Sequence, residues 1–261
     1  MAKPARLDTE LVRRALVRSR EEARRLIESG GVTVNGLPAF RPATMVPPGV
    51  SIALSKAPSR FVSRGGEKLD GALDDLDVPV EGRRWLDAGA STGGFTDVLV
   101  KRGAAEVVAA DVGYGQLHWS LRTSPNVKVL DRVNVRHLTP DQLPWRPEGV
   151  VADLSFISLT LVLPALAGVA APDADHVLLV KPQFEVGRGG VSKGGVVRDP
   201  ARWRSALEGV TSAAAGLGLG LVGATASRTR GPAGNREFFI HLRRGAPADE
   251  AALDAAVEDA R

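Results

Sequence analysis

From residue 84 onward, short apolar runs alternate with amphipathic stretches. Strand-like runs fall at 84–88, 106–110, 127–130, 149–152, 176–180, 220–226 and 236–242. Helical patterns fall near 66–76, 94–102, 115–121, 158–170 and 200–215. Strand–helix alternation predicts an α/β fold, a mostly parallel sheet with helices on both faces. A Gly/Pro turn joins the last two runs, so they are expected to pair antiparallel, completing a Rossmann-like sheet of seven strands. Residues 249–261 are acidic and alanine-rich and read as a terminal helix or a frayed tail. No internal repeat is visible.

The first 55 residues have a different rhythm. Asp8 is placed to cap a helix running to about Val17, with Leu11, Val12, Ala15 and Leu16 on one face. Ser19 and Glu22 form a capping-box pattern for a second helix over about 20–29, which Gly30 and Gly31 end. Val32-Thr33-Val34 enters an Asn35-Gly36 turn, and residues 50–54 alternate as a returning strand. A small α+β unit is expected, with Ala57-Pro58-Ser59 as linker.

Charge sharpens this division. Residues 1–60 hold 11 Lys/Arg against 5 Asp/Glu, whereas the remainder holds 23 against 25. A basic front unit suggests an anion-binding attachment, most simply for nucleic acid; arginine on ordinary solvated helices gives the same count. The absence of cysteine excludes disulfides, thiolate metal sites and the usual nucleophile for methylating C5 of a pyrimidine. No run of 18 apolar residues is present, so no membrane span is expected. The opening MAKPARLDTE lacks the apolar stretch of a signal peptide, and a cytoplasmic protein is expected. His118, His137, His176 and His241 are scattered, and no catalytic metal is expected.

The strand Arg84-Trp85-Leu86 runs into Asp87-Ala88-Gly89-Ala90-Ser91-Thr92-Gly93-Gly94-Phe95. Small residues there allow a backbone to approach a ligand closely. S-adenosylmethionine (SAM) carries no pyrophosphate, so the spacing need not be G-x-G-x-x-G, and it is not. Gly89, Ala90, Ser91, Thr92, Gly93, Gly94 and Phe95 are read as the cradle, with Asp87 facing the cationic methionine end. Asp111 closes the second strand, where a carboxylate can accept both ribose hydroxyls, with Val112 beside it. Asp131 closes the third strand and is read as bordering the adenine, with Asn134 following. Asp153 and Lys181 close two further strands. Another kind of nucleotide turn, or a structural turn, would explain the glycines alone.

Lys181 and Asp153 are joined by Glu237, at the opening of the last strand, and by Lys68, ahead of the first strand of the sheet. Two lysines and two acids at one crevice match ribose 2′-hydroxyl methylation. The hydroxyl is a very weak acid and needs a positioned base. A lysine can serve when burial and a neighbouring cation favour the neutral amine. Amino-group methylation of a base usually shows an Asp/Asn-Pro-Pro-aromatic stretch, but the corresponding strand end reads Asp153-Leu154-Ser155-Phe156. The glycine-rich loop 183–199 carries Arg188, Lys193 and Arg198 and reads as a phosphate-contacting or merely mobile loop.

Several segments together resemble the TlyA family, known both as hemolysin A and as ribosomal RNA cytidine 2′-O-methyltransferase. They are Arg6-Leu7-Asp8, Ser19 to Ala23, Val62 to Leu69, the glycine loop, Asp153 to Ser158, Lys181 to Glu185 and Gly231 to Glu237. The resemblance implies a front domain of the S-four RNA-binding type over 1–59, a linker over 60–66, an FtsJ-like SAM-dependent methyltransferase domain over 67–246 and a tail or helix over 247–261. It implies a Lys-Asp-Lys-Glu tetrad at Lys68, Asp153, Lys181 and Glu237. The implied targets are cytidine 2′-hydroxyls of 16S and 23S rRNA at the interface of the 30S and 50S subunits. Arg6, Arg18, Arg20, Arg24, Arg64, Arg188 and Lys193 are the expected RNA contacts, and the chain is expected to be a monomer. Two other readings stay open: a membrane-active hemolysin, and a noncatalytic RNA-binding assembly factor.

Overall fold

The computed structural model describes residues 4–54, 60–187, 194–247 and 249–261. It divides into two compact units, residues 1–66 and 67–261.

The front unit runs β1 (Ala5–Arg6), α1 (Leu7–Arg13), α2 (Arg20–Glu28), β2 (Val32–Val34), β3 (Leu37–Pro38), β4 (Met45–Val46) and β5 (Ile52–Leu54). β1 pairs antiparallel with β4, and β2 lies between β3 and β5. Asn35 and Gly36 both take left-handed φ at the β2–β3 turn, as an Asn-Gly hairpin requires. Leu7, Leu11, Ala23, Ile27, Val32 and Val46 form the core.

Two expectations for this unit need correction. Asp8 does not cap α1: the helix starts at Leu7, and Asp8 is buried inside its first turn. Its carboxylate binds the Arg6 guanidinium at 2.8 Å and Arg20 at 3.2 Å, which satisfies it better than a backbone cap would. Nor does α1 reach Val17. Ala15 adopts φ +54°, with Leu16 N donating to Leu11 O and Ala15 N to Val12 O. That is a Schellman closure without its usual glycine, which hides the stop from a composition-based reading. α2 begins as expected, with the Ser19 hydroxyl accepting from Glu22 N at 3.1 Å.

The larger unit continues α3 (Arg64–Asp75), β6 (Arg84–Ala88), α4 (Gly94–Lys101), β7 (Glu106–Asp111), α5 (Trp119–Arg122), β8 (Val127–Asp131) and β9 (Gly149–Ala152). It is completed by α6 (Leu163–Val169), β10 (Asp175–Val180), α7 (Pro182–Glu185), α8 (Pro200–Ala215), β11 (Leu219–Ala226), β12 (Phe238–Arg244) and α9 (Glu250–Asp259). α3 starts within the stretch 60–66 expected as linker. α5 is one turn long, and the expected helix over 158–170 breaks at Val162 into a 3-10 turn and α6. α7 had no counterpart in the periodicity, because four residues are too few to show it. Residues 250–259 form a helix that buries Leu253, Ala256 and Val257.

The seven strands lie in the order β11-β12-β10-β9-β6-β7-β8. β12 runs antiparallel between β10 and β11, and the others are parallel. The parallel register aligns Ala88 with Ala110 and Ala152, and Asp111 with Asp131. The carboxyl ends of β6, β7, β8, β9 and β10 therefore meet along one edge. One face packs Leu86, Val108, Val150, Leu178 and Ile240 against Leu163, Leu166, Trp203 and Leu207.

At the other end of β10, Asp175 is 1% exposed and accepts from His241, Arg83 and Arg243. Burial alone would raise its carboxyl; the three donors outweigh this and hold it below the usual range. Neighbouring His176 is 2% exposed, and neither ring nitrogen has a hydrogen-bond partner. Burial lowers it from 6.5 to about 4. The folded state thus favours neutral imidazole, and that stability is present above pH 6.5 and lost as pH falls towards 4. About 3 kcal/mol is expected to disappear over this window. Urea denaturation of wild type and His176→Leu at pH 7 and pH 4 checks this: the variant should lose about that much less stability on acidification. Parallel losses in the two proteins would contradict it.

Candidate active site

The edge formed by the strand ends gathers the residues singled out from the sequence. β6 delivers Asp87 just before a turn in which Gly89 has φ +86°, Ser91 φ +49° and Gly93 φ +96°. Gly89 N and Ala90 N both donate to Ala110 O, which pins the loop across β7. A Cβ on Gly89 would lie 2.8 Å from Asp153 O, so no larger residue fits where the loop crosses the end of β9. Gly94 and Phe95 start α4 beyond Gly93, and the Phe95 ring packs against Phe239 at 5.9 Å between centroids. Ser91 and Thr92 are exposed on the loop.

Asp111 holds this loop from the next strand. One carboxylate oxygen accepts from Ser91 N at 2.8 Å, the other from Gly113 N at 2.7 Å. Each keeps a lone pair for a further donor, as ribose recognition needs. Val112 follows and is 73% exposed. Asp131 is more committed than expected: Arg122 binds it at 2.7 Å and holds its carboxyl below the usual range. Asn134 is exposed and accepts from Arg136 N, capping a 3-10 turn. These two side chains therefore already have structural partners.

The tetrad is assembled from distant segments. Lys68 comes from α3, Asp153 from the end of β9, Lys181 from the end of β10 and Glu237 from just before β12. Lys68 Nζ donates to Glu237 Oε2 at 2.5 Å, with side chains 8% and 1% exposed. Lys181 Nζ pairs with Asp153 Oδ1 at 2.5 Å and donates to Ser155 Oγ at 3.0 Å. Gly231 crowds Glu237 so closely that a Cβ there would lie 2.5 Å from its carboxylate. Asn235 is buried and ties Gly195 O and Val197 N to the same turn. The arrangement is two buried or half-buried ion pairs, each with its own partner. It can offer an amine to a substrate hydroxyl without accumulating net charge.

Three contributors escaped the sequence reading. Thr96 donates to Asp87 Oδ2 at 2.6 Å. Ser155 is the second partner of Lys181. Glu185 accepts from Ser158 Oγ at 2.5 Å and Leu159 N at 2.9 Å, clamping the segment after Asp153 to the helix after Lys181. Burial pushes the Glu185 carboxyl up against those two donors. Ser155 and Glu185 lie inside the stretches Asp153 to Ser158 and Lys181 to Glu185, and Thr96 lies one residue beyond the glycine loop; none of their hydrogen bonds was visible.

The glycine loop fits a cofactor with a cationic end. The backbone at Gly89 admits no side chain, and Asp87 Oδ1 is buried without a partner. Asp87, Asp111 and Asp153 present carboxylates around this cradle. Among the described residues, no cluster of three His, Asp or Glu side chains is placed to hold a metal ion.

In the front unit Arg6, Arg18, Arg20 and Arg24 are all exposed. Arg64 stacks over Phe40 at 5.5 Å. Buried Glu10 binds Arg13 at 2.6 Å and Arg14 at 2.7 Å, which lowers its carboxyl to about 2. Arg188 and Lys193 lie outside the described residues.

A parallel sheet of this order with an antiparallel β12 is the methyltransferase variant of the Rossmann architecture. Residues 61–244 match the FtsJ-like methyltransferase family, and residues 5–52 match the S4 domain. The 16S/23S rRNA (cytidine-2′-O)-methyltransferase TlyA of Mycobacterium tuberculosis is 55% identical over 261 residues, covering 100% of this chain and 97% of the relative. Hemolysin A of Brachyspira hyodysenteriae is 36% identical over 91% of this chain and 99% of its own length. A solved structure from Streptococcus thermophilus, provisionally described as a hemolysin, superposes with TM-score 0.76 at 36% identity over 99% of this chain and 98% of its own. The chain belongs to the FtsJ-like methyltransferases, and within them to the TlyA family.

The buried Lys68–Glu237 pair gives a stability prediction. Glu237→Ala leaves an ammonium buried without its counter-charge and should cost about 3–5 kcal/mol in urea unfolding. Combining Lys68→Met with Glu237→Leu should recover most of that loss. A double variant as unstable as the single one would contradict the pairing.

Proposed function

We propose that this chain is a SAM-dependent ribosomal RNA methyltransferase acting on cytidine 2′-hydroxyls of 16S and 23S rRNA at the subunit interface. The observation that carries the reading is the pair of lysine–carboxylate contacts beside the glycine loop, Lys68–Glu237 and Lys181–Asp153. Family membership and the naming of the Mycobacterium tuberculosis relative support the substrate class. The S4 match and the exposed arginines of the front unit support RNA as partner. No helix among the described residues is long and apolar enough to cross a membrane. A cytoplasmic location goes with ribosomal RNA as substrate.

SAM, when bound, supplies an electrophilic methyl on a sulfonium sulfur. Gly89 to Gly94 and the Asp111 carboxylate would hold it, with Asp87 at the methionine end and Val112 beside the adenosine. Lys181, an ammonium in its pair with Asp153, first passes one proton to solvent, and its Nζ then accepts the 2′-hydroxyl proton as the oxygen attacks. Asp153 and Ser155 orient that amine. Lys68, held by Glu237, adds positive field where the oxygen becomes anionic. The arginines of the front unit neutralise phosphates and fix the RNA, without reading its sequence.

Two measurements test this. Lys181→Ala should abolish methyl transfer to isolated ribosomal subunits while leaving SAM affinity within about three-fold; full activity would remove Lys181 from its role. Neutralising Arg6, Arg18 and Arg20 together should weaken RNA binding and flatten the plot of log K against log salt. The slope should fall by roughly 0.7–0.9 for each phosphate that these arginines neutralise in the wild type. An unchanged slope would show that these arginines are not the anchor.

A further inference from the structure

One buried acid is only half accounted for by its surroundings. Asp87 is 0% exposed on β6. Its Oδ2 accepts from the Thr96 hydroxyl at 2.6 Å, while Oδ1 is buried with no hydrogen-bond partner. Thr96 is itself fully buried, in the first turn of α4. An unpaired buried carboxylate oxygen is costly, and a bound cationic group would complete its set.

No ammonium or guanidinium among the described residues forms an ion pair with Asp87. The charged groups that bear on it are Asp153 from the end of β9 and Asp111 from the end of β7, both of which oppose ionisation. Lys181, at the end of β10, is engaged with Asp153. Burial is the largest influence and raises the carboxyl; the Thr96 hydrogen bond resists it, and the balance lies at about 7.

We propose that Thr96 is a positioning residue that commits one Asp87 oxygen and turns the other towards the cofactor's α-ammonium, so that cofactor capture releases a proton from Asp87. This rests on the SAM-dependent reading above. The step balances simply: the Asp87 carboxyl O–H breaks, the proton leaves to solvent, and the carboxylate pairs with an ammonium that keeps its charge. A hydroxyl suits the task because it donates one bond in a fixed direction without adding charge. An arginine or lysine in its place would itself neutralise the acid and compete with the ligand.

S-adenosylhomocysteine is the appropriate probe, since it carries the same α-ammonium and cannot turn over. Calorimetric titration of the full chain in two buffers of different ionisation heat counts protons. Wild type should release most of a proton at pH 6 and a clearly smaller fraction at pH 7.5. Asp87→Asn should release none and bind more weakly. Thr96→Val should bind about ten-fold more weakly at pH 7, with the midpoint of its pH dependence moved upward. Thr96→Ser should restore both affinity and midpoint. A wild-type protein that binds without releasing a proton at pH 6, or a Thr96→Val protein with wild-type affinity and midpoint, overturns the proposal. If thermal melting shows that the valine variant is unfolded, the wild-type proton count and the serine variant still decide. Binding of neither SAM nor the probe would overturn both this inference and the functional reading. Proton-linked binding without RNA methylation would overturn the functional reading alone.

Discussion

Two ammonium groups can stand at the buried edge of this sheet only because each faces a carboxylate. Lys68 and Lys181 are both less than a tenth exposed, and an isolated ammonium at such a depth would cost several kcal/mol. Glu237 and Asp153 remove that cost at 2.5 Å each. The rest of the larger unit serves this geometry. The parallel register brings the ends of β6, β9 and β10 level, and the antiparallel β12 starts at the same edge. Four residues spread over more than 160 positions of sequence therefore form two ion pairs at one edge of the sheet. The glycine loop lies against the same strand ends, where a Cβ on Gly89 would run into the backbone of Asp153.

The front unit uses the same device at its surface. Asp8 and Glu10 are buried acids, and each holds two guanidinium groups. The carboxylates fix the directions of long side chains that would otherwise be mobile. An arginine already oriented loses less entropy on meeting a phosphate. A pair of this kind also offsets some positive charge, so the count of arginines overstates the field that a polyanion meets.

The fold was legible in the sequence because strand and helix periods differ and most elements of the sheet are long enough to show them. The order of apolar runs from residue 84 gives the alternation, and the Gly/Pro turn before Glu237 gives the antiparallel end. The tetrad was legible because its members stand at strand ends or in recognisable motifs. Contacts between side chains were not. Nothing in the string shows that Asp8 turns inward to two arginines, that Arg122 occupies Asp131, or that Thr96 reaches Asp87. The stop of α1 was also hidden, because Ala15 adopts the left-handed conformation that a reader looks for at glycine. Short elements such as α7 carry too few residues to reveal a period, yet Glu185 within it clamps the segment behind Asp153.

The central claim is that the two lysine–carboxylate pairs direct a methyl group to a ribose oxygen of ribosomal RNA. Transfer of a labelled methyl from SAM to isolated 30S and 50S subunits, followed by digestion to nucleosides, addresses it directly. The expected result is label in 2′-O-methylcytidine, abolished when the RNA is replaced by one with 2′-deoxycytidine at the acceptor. Label on a base, or no incorporation into either subunit, would contradict it.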